Sequence, residues 1–219
     1  MVEFTFWQIL RNLLLATRLT LALSLVAFVG GGLLGIVVLF LKTSRWPWVR
    51  ALASGFISIF QSTPLLMQIF LAFFGLALLG VDVTPWLAAG SALILWSAAF
   101  LAEIWRGCVE AVPKGQWEAS SSLALRYVHQ MRYIILPQAV RLAIPPTVGF
   151  TVQLVKSTSL ASIIGFMDLA KVGVIITNAT LEPLTVFTCT TTIYFLLCWS
   201  LSRASRALER RLHAVHSDR

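Results

Sequence analysis

Charge is scarce in this chain. Of its 219 residues only 12% are charged, and nine are acidic; a soluble globular domain carries about 25% charged residues. With 58% hydrophobic residues and a mean hydropathy of +0.84, this shortfall excludes an ordinary soluble domain and places the chain in a membrane. Cysteine is also sparse. Cys108, Cys189 and Cys198 form no close-spaced pair, so free thiols are expected rather than a disulfide framework. His213 and His216 stand three apart in a basic tail without a ligand cluster beside them, so no metal site is expected. No Gly-x-x-x-x-Gly-Lys-Ser/Thr occurs, so the chain has no phosphate loop, binds no cofactor of its own and is not an enzyme that hydrolyses nucleotide unaided. A cleavable signal peptide is not expected either, because the first apolar stretch is too long and lacks a small-residue cleavage site.

The apolar residues that remain are grouped. Residues 19–41, 51–81, 83–102 and 183–202 contain no charge, and each window is near or above the roughly 20 residues that cross a bilayer. A shorter window, 142–155, becomes long enough if it begins near Gln138 and runs past Lys156 to Leu160. The expectation is an all-α polytopic membrane protein with five transmembrane helices, forming one transmembrane domain over residues 1–219. Paired intramembrane carboxylates or an inverted repeat would mark an ion-coupled secondary transporter, and paired intramembrane histidines would mark a structural or cofactor-holding subunit of a membrane enzyme complex. The charge-free spans offer none of these.

Basic residues set the orientation. Lys42, Arg45 and Arg50 follow the first span. Arg106, Lys114, Arg126, Arg132 and Arg141 follow the third. Arg203, Arg206, Arg210, Arg211 and Arg219 fill the tail. These segments should be cytoplasmic, with the N-terminus outside and the C-terminus inside. The net charge of +8 is explained by this topology, and nucleic acid is not expected as a partner because the basic residues are scattered without a matching fold signature.

Several features break the apolar pattern. Gly31 and Gly35 are four apart in the first span, a spacing that lets helices approach closely. The second window is 31 residues long, about 46 Å as a straight helix, well beyond the hydrocarbon core. It is expected to break at Gln61-Ser62-Thr63-Pro64, with Gln68 one turn later. The fourth span carries Gln153, Lys156, Ser157, Thr158 and Ser159, and Pro145-Pro146 ahead of it fit a helix start. Two readings stand for these polar groups. Gln61, Thr63, Pro64 and Gln68 on one side and Gln153, Lys156 and Thr158 on the other line a path for a polar solute, or they only bond neighbouring helices while Lys156 snorkels to the interface.

Residues 103–137 are polar, partly amphipathic and lodged between apolar segments. A stretch of this kind suits a docking surface for a partner in the aqueous phase. It contains Glu118-Ala119-Ser120, three residues, Ala124, nine residues, then Ile134, Leu136 and Pro137. That spacing resembles the EAA loop of bacterial ABC importer permeases. Further pieces occur in family order: Ser62-Thr63-Pro64-Leu65-Leu66-Met67-Gln68, Ala102-Glu103-Ile104-Trp105-Arg106-Gly107, Val112 to Ala119, Ile134 to Ala139, and Lys156-Ser157-Thr158-Ser159-Leu160. Together they resemble the polar amino acid uptake branch over nearly the whole chain.

The resemblance implies a type I ABC importer permease in the bacterial inner membrane, passing an amino acid delivered by a periplasmic or tethered solute-binding protein. It implies a second permease, identical or paralogous, within the lipid bilayer, and two ATP-binding subunits carrying ATP and Mg. It assigns the cytoplasmic coupling loop to about residues 106–137, with Gly115, Glu118, Ala119, Ser120, Ala124 and Pro137 at the ATPase contact. The chain departs from the family pattern in having Ser120 for the second Ala, Ala124 for Gly, Gln61-Ser62 for Arg-Gly, and Gly149-Phe150 for Asn-Glu. The missing carboxylate at position 150 argues against a cationic solute.

Overall fold

The computed structural model describes residues 5–217, with side chains described to residue 207, and all regular structure among these is helical. Helix α1 spans Phe6–Lys42, about 55 Å of helix. Helices α2, Pro47–Ser62, and α3, Leu65–Leu78, meet at a 104° bend. Helix α4 spans Pro85–Glu110 and the short α5 spans Lys114–Ser122. Helix α6, Tyr127–Ile164, is joined to α7, Leu169–Thr180, across a 51° bend. Helix α8 is Pro183–Ser217. Among the described residues three helices, α1, α4 and α8, are long and apolar enough to cross a bilayer, and the number reaches five if each bent pair is one span.

Local chemistry explains the boundaries. Thr84 Oγ1 accepts from the Leu87 N–H at 3.3 Å and Pro85 follows at the first helical position, which starts α4. Thr63 and Pro64 both take extended backbone, which ends α2 and re-aims the chain into α3. The break therefore falls where the proline sits. The fourth span differs from expectation. Pro145 and Pro146 lie inside a continuous helical stretch, Leu136–Ser157, and do not begin it. The helix starts upstream, at Tyr127, and passes through a π-turn at Gln130–Ile135. It ends in a 3-10 stretch, Thr158–Ile164, closed by Gly165 at φ +91°, a conformation glycine adopts without cost.

Helices α1 and α4 form the spine. A Cβ built on Gly31 would stand 2.4 Å from Ser97 Cβ, and one on Gly35 would stand 3.2 Å from the Ala98 carbonyl oxygen. The small residues thus permit near backbone contact, as their spacing suggests. On this spine sits the largest core, which joins Leu23 and Ala27 of α1, Leu65 and Ile69 of α3, Leu93 and Trp96 of α4, and Phe150, Leu154 and Ile164 of α6. A second core packs Ile9 and Leu13 of α1 against Leu169 and Ile176 of α7 and Val186 and Ile193 of α8. A third joins Val38 of α1 to Ala53 and Ile57 of α2 and Ala99 and Ala102 of α4.

Candidate functional site

The loop after α4 folds into a small helical platform. Pro113 precedes Lys114 at the start of α5. The inner face of α5 rests on an apolar patch of Val112, Ile135 and Ala139, with Trp117 packed against it. Ser120 is buried and its hydroxyl donates to the Trp117 carbonyl at 2.8 Å. Gly115, Glu118 and Ala119 are exposed. A Cβ on Gly115 would meet nothing within 4 Å, so packing within this chain does not require glycine there.

The turn that ends α5 is held by two backbone bonds. The Ala124 N–H donates to the Ser121 carbonyl at 2.9 Å and the Leu125 N–H to the Ser120 carbonyl at 3.4 Å. This is the Schellman pattern, in which the residue after the cap is left-handed and usually glycine. Here it is Ala124, at φ +54°. The following segment is stitched back to α5 by Gln130 Nε2, which donates to Ser121 Oγ at 3.0 Å, and by Gln138 Nε2, which donates to Gln116 Oε1 at 3.4 Å. Pro137 is exposed just after the π-turn.

Immediately before the platform, α1 and α4 are tied by charge. Lys42 Nζ donates to Glu103 Oε2 at 2.8 Å, Arg106 Nε donates to Glu103 Oε1 at 3.0 Å, and Arg106 also pairs with Glu110. Trp105 Nε1 donates to Thr147 Oγ1 at 3.0 Å, joining α4 to α6. The sequence marks Lys42 and Arg106 as topology charges and places Glu103, Trp105 and Arg106 in a family motif, without pairing them. The signal was the spacing 103, 106, 110, which places side chains on one helical face.

The second group of candidates surrounds the α2–α3 bend. Gln61 is exposed and its Nε2 donates to the Ala99 carbonyl at 3.3 Å, linking α2 to α4. Gln68 Nε2 lies 3.0 Å from the Phe60 carbonyl oxygen, 3.1 Å from the Thr63 carbonyl oxygen and 2.9 Å from Thr63 Oγ1. The Thr63 hydroxyl donates to the Ile59 carbonyl at 2.7 Å. Pro64 is exposed at the turn. On α6, Gln153 and Lys156 are exposed, and neither side chain has a hydrogen bond or ion pair among the described residues. Thr158 differs from expectation as a path-lining group. It is fully buried and its hydroxyl is spent on the Val155 carbonyl at 2.8 Å, because the tighter 3-10 turn rotates it toward the core. Phe150 is also buried, against the rings of Trp96 and Phe100 at centroid distances of 5.2 and 5.8 Å.

One buried carboxylate escaped the sequence reading. Asp168 stands at the α6–α7 bend, where its Oδ1 accepts from the Lys171 N–H at 2.8 Å and its Oδ2 accepts from the Tyr194 hydroxyl at 3.3 Å. The Leu169 N–H donates to Thr20 Oγ1 at 3.0 Å. The bend is thereby fastened to α1 and α8. An aspartate directly ahead of an apolar helix was the available signal. Among the described residues no three His, Cys, Asp or Glu side chains gather as metal ligands. The side chains of His213, His216, Arg210, Arg211 and Arg219 lie outside the described ones.

Residues 31–214 match the family of binding-protein-dependent transport system inner membrane components. The probable amino-acid ABC transporter permease protein YckA of Bacillus subtilis (strain 168) is 34% identical over 192 residues, which are 88% of this chain and 85% of the relative. The L-cystine transport system permease protein TcyB of the same organism is 32% identical and covers 97% of this chain and 90% of its own length. Among solved structures, the crystal structure of an amino acid ABC transporter with histidines superposes with a TM-score of 0.91 at 30% identity, over 96% of this chain and all of that one. The inward-facing MetNI methionine ABC transporter superposes with a TM-score of 0.76 at 20% identity, over 92% of this chain and 96% of that one, a likeness of fold.

Proposed function

The chain belongs to the binding-protein-dependent transport system inner membrane components, and from that premise we propose how it works and what it carries. It is a multi-pass membrane permease of an ABC importer, a transport component and not an enzyme. This membership sets aside the secondary-transporter and enzyme-subunit alternatives. The solute we propose is an amino acid, neutral or acidic, handed over by a solute-binding protein at the outer face of a bacterial inner membrane. A second permease, the same chain or a paralogue, completes the path, and two ATP-binding subunits hold ATP and Mg. The N-terminus lies outside and the C-terminus in the cytoplasm.

The observation that carries the coupling proposal is α5. Its inner face is buried on Val112, Ile135 and Ala139, its end is fixed by the Ala124 turn, and Glu118 and Ala119 remain exposed. A short helix held from behind and open in front fits a groove in an ATPase and moves as a lever when that partner closes. Glu118, in the first turns, also complements the positive end of the helix. Rocking of the two permeases then gives alternating access.

For the path, Gln61 and Thr63 are exposed at the α2–α3 bend, and Gln153 and Lys156 are exposed on α6. Their amides both donate and accept, which suits a carboxylate and an ammonium, and the cation of Lys156 favours an anionic group. Phe150 leaves the span without a carboxylate to pair with a cationic side chain, and an unpaired buried charge is costly. The deciding experiment reconstitutes the chain with its ATPases and receptor and measures ATP-dependent uptake of labelled amino acids. Uptake of neutral or acidic amino acids is expected. Efficient arginine or lysine uptake with the others excluded would overturn the charge argument.

A further inference from the structure

Proline 64 has a specific chemical consequence for α2. In an unbroken helix the N–H of residue 64 would donate to the carbonyl of residue 60, four positions back. Proline has no N–H, so the Phe60 carbonyl loses its backbone donor. The extended backbone of Thr63 and Pro64 also frees the Thr63 carbonyl, because the N–H groups of Met67 and Gln68 both donate to the Pro64 carbonyl instead, at 3.0 and 3.2 Å. A helix break within a membrane span must find other partners for such groups, either water in a cavity or another protein group. The carbonyl oxygens of Phe60 and Thr63 both lie within 3.1 Å of one atom, Gln68 Nε2. Its two N–H groups also reach Thr63 Oγ1. The assignment of the amide is fixed by these neighbours. The two carbonyls can only accept, and the Thr63 hydroxyl already donates to the Ile59 carbonyl.

We propose that Gln68 is the positioning residue that holds the α2–α3 elbow at its angle, acting as the hydrogen-bond donor that Pro64 removed. The consequence reaches the translocation path. Helix α3 enters the main core through Leu65 and Ile69, beside Ala161 and Ile164 of the 3-10 stretch that follows Lys156. The two interrupted helices of the chain thus meet in one core, and the elbow angle sets how α3 bears on the end of α6. Gln68 acts through α3 and not by touching the solute. This inference rests on membership of the permease family and is independent of which solute is carried.

The test uses the assembled transporter reconstituted in liposomes with its ATPases and receptor. Spin labels are placed at the exposed positions Leu52 on α2 and Leu78 on α3, and uptake of a labelled mixture of neutral and acidic L-amino acids is measured in parallel. Gln68→Leu should broaden the label–label distance distribution and lower maximal uptake by about tenfold, the scale of losing a hydrogen bond that leaves its acceptor unsatisfied. The half-saturating solute concentration should stay as in wild type. In a Pro64→Ala background residue 64 regains its N–H, so Gln68→Leu should broaden the distribution less than it does beside Pro64. Equal effects in both backgrounds would overturn the proposal. So would unchanged distances with a raised half-saturation, which would make Gln68 a solute contact. Wild-type protein that takes up none of the mixture would remove the amino acid reading and leave the distance test standing.

Discussion

Gly31 and Ser97 face each other where α1 crosses α4, so closely that a methyl group on Gly31 would stand 2.4 Å from Ser97 Cβ. That approach leaves no room for relaxation by a flexible side chain. Gly31→Ala should therefore push the two helices apart and destabilise the folded permease by about 1–3 kcal/mol, the usual cost of overpacking. Gly35→Ala, whose nearest contact is 3.2 Å, should cost less. Thermal unfolding of the purified protein in detergent checks both, and equal stability of Gly31→Ala and wild type would contradict the packing.

Ala124 holds a left-handed backbone that non-glycine residues adopt at a cost of roughly 1–2 kcal/mol. Ala124→Gly should tighten α5 on its platform and preserve copurification of the ATPase. Ala124→Val should weaken that assembly or the ATP hydrolysis stimulated by the loaded receptor, while membrane insertion is retained. Pull-down and hydrolysis assays must separate the two variants, with wild-type values for Ala124→Gly and a reduced value for Ala124→Val in at least one assay, for the coupling proposal to survive.

Orientation is tested by labelling. Cysteines introduced at Ser44 or Lys114 should be shielded from an impermeant thiol reagent in intact cells. Those at Asp82 or Glu182 should react. The opposite pattern would reverse the proposed topology.

Glu103 bridges Lys42 and Arg106. The side chains are 23–30% exposed, so the pairing is only partly screened, and Glu103→Gln should lower stability by about 1 kcal/mol. The exchanged pair Lys42→Glu with Glu103→Lys should recover part of the loss, although Arg106 then faces a cation. A double-mutant cycle on unfolding free energies reads the coupling directly, and a coupling of zero would mean the bridge contributes nothing.

Gln153→Ala and Lys156→Ala should each reduce reconstituted uptake and leave receptor affinity for its amino acid unchanged. If both variants transport like wild type, these groups do not line the path.

The sequence made the architecture readable wherever one residue type has one physical consequence. Charge-free windows of bilayer length mark the spans, Pro64 marks the break, and Gly31 and Gly35 mark the close crossing. It was less readable where a side chain has several equal uses. Gln68 satisfies the description of a path-lining amide and of a backbone stitch, and its bonds to the Phe60 and Thr63 carbonyls become visible only once the chain is folded. Ser120 and Thr158 sit in the right motifs, yet both turn inward, because helical phase near a cap or a 3-10 stretch is not fixed by spacing alone. Pro145 and Pro146 read as a start signal, but the helix was already established from Tyr127 and ran through them. Glu103 and Asp168 each carry a recognisable spacing or capping signal whose partners, Lys42 and Tyr194, are distant in the chain.

The rings of Trp96, Phe100 and Phe150 lie against one another in the main core. Their contact has a consequence for how such a permease can change over generations. A single Phe150→Glu step would place a carboxylate among aromatic faces, where a buried charge is costly unless it is paired, and the intermediate would fold poorly before it could carry anything new. A change at position 96 or 100 that opens room or supplies a partner eases the passage from this aromatic arrangement to an ionic one, so packing favours some orders of substitution before selection acts on the cargo.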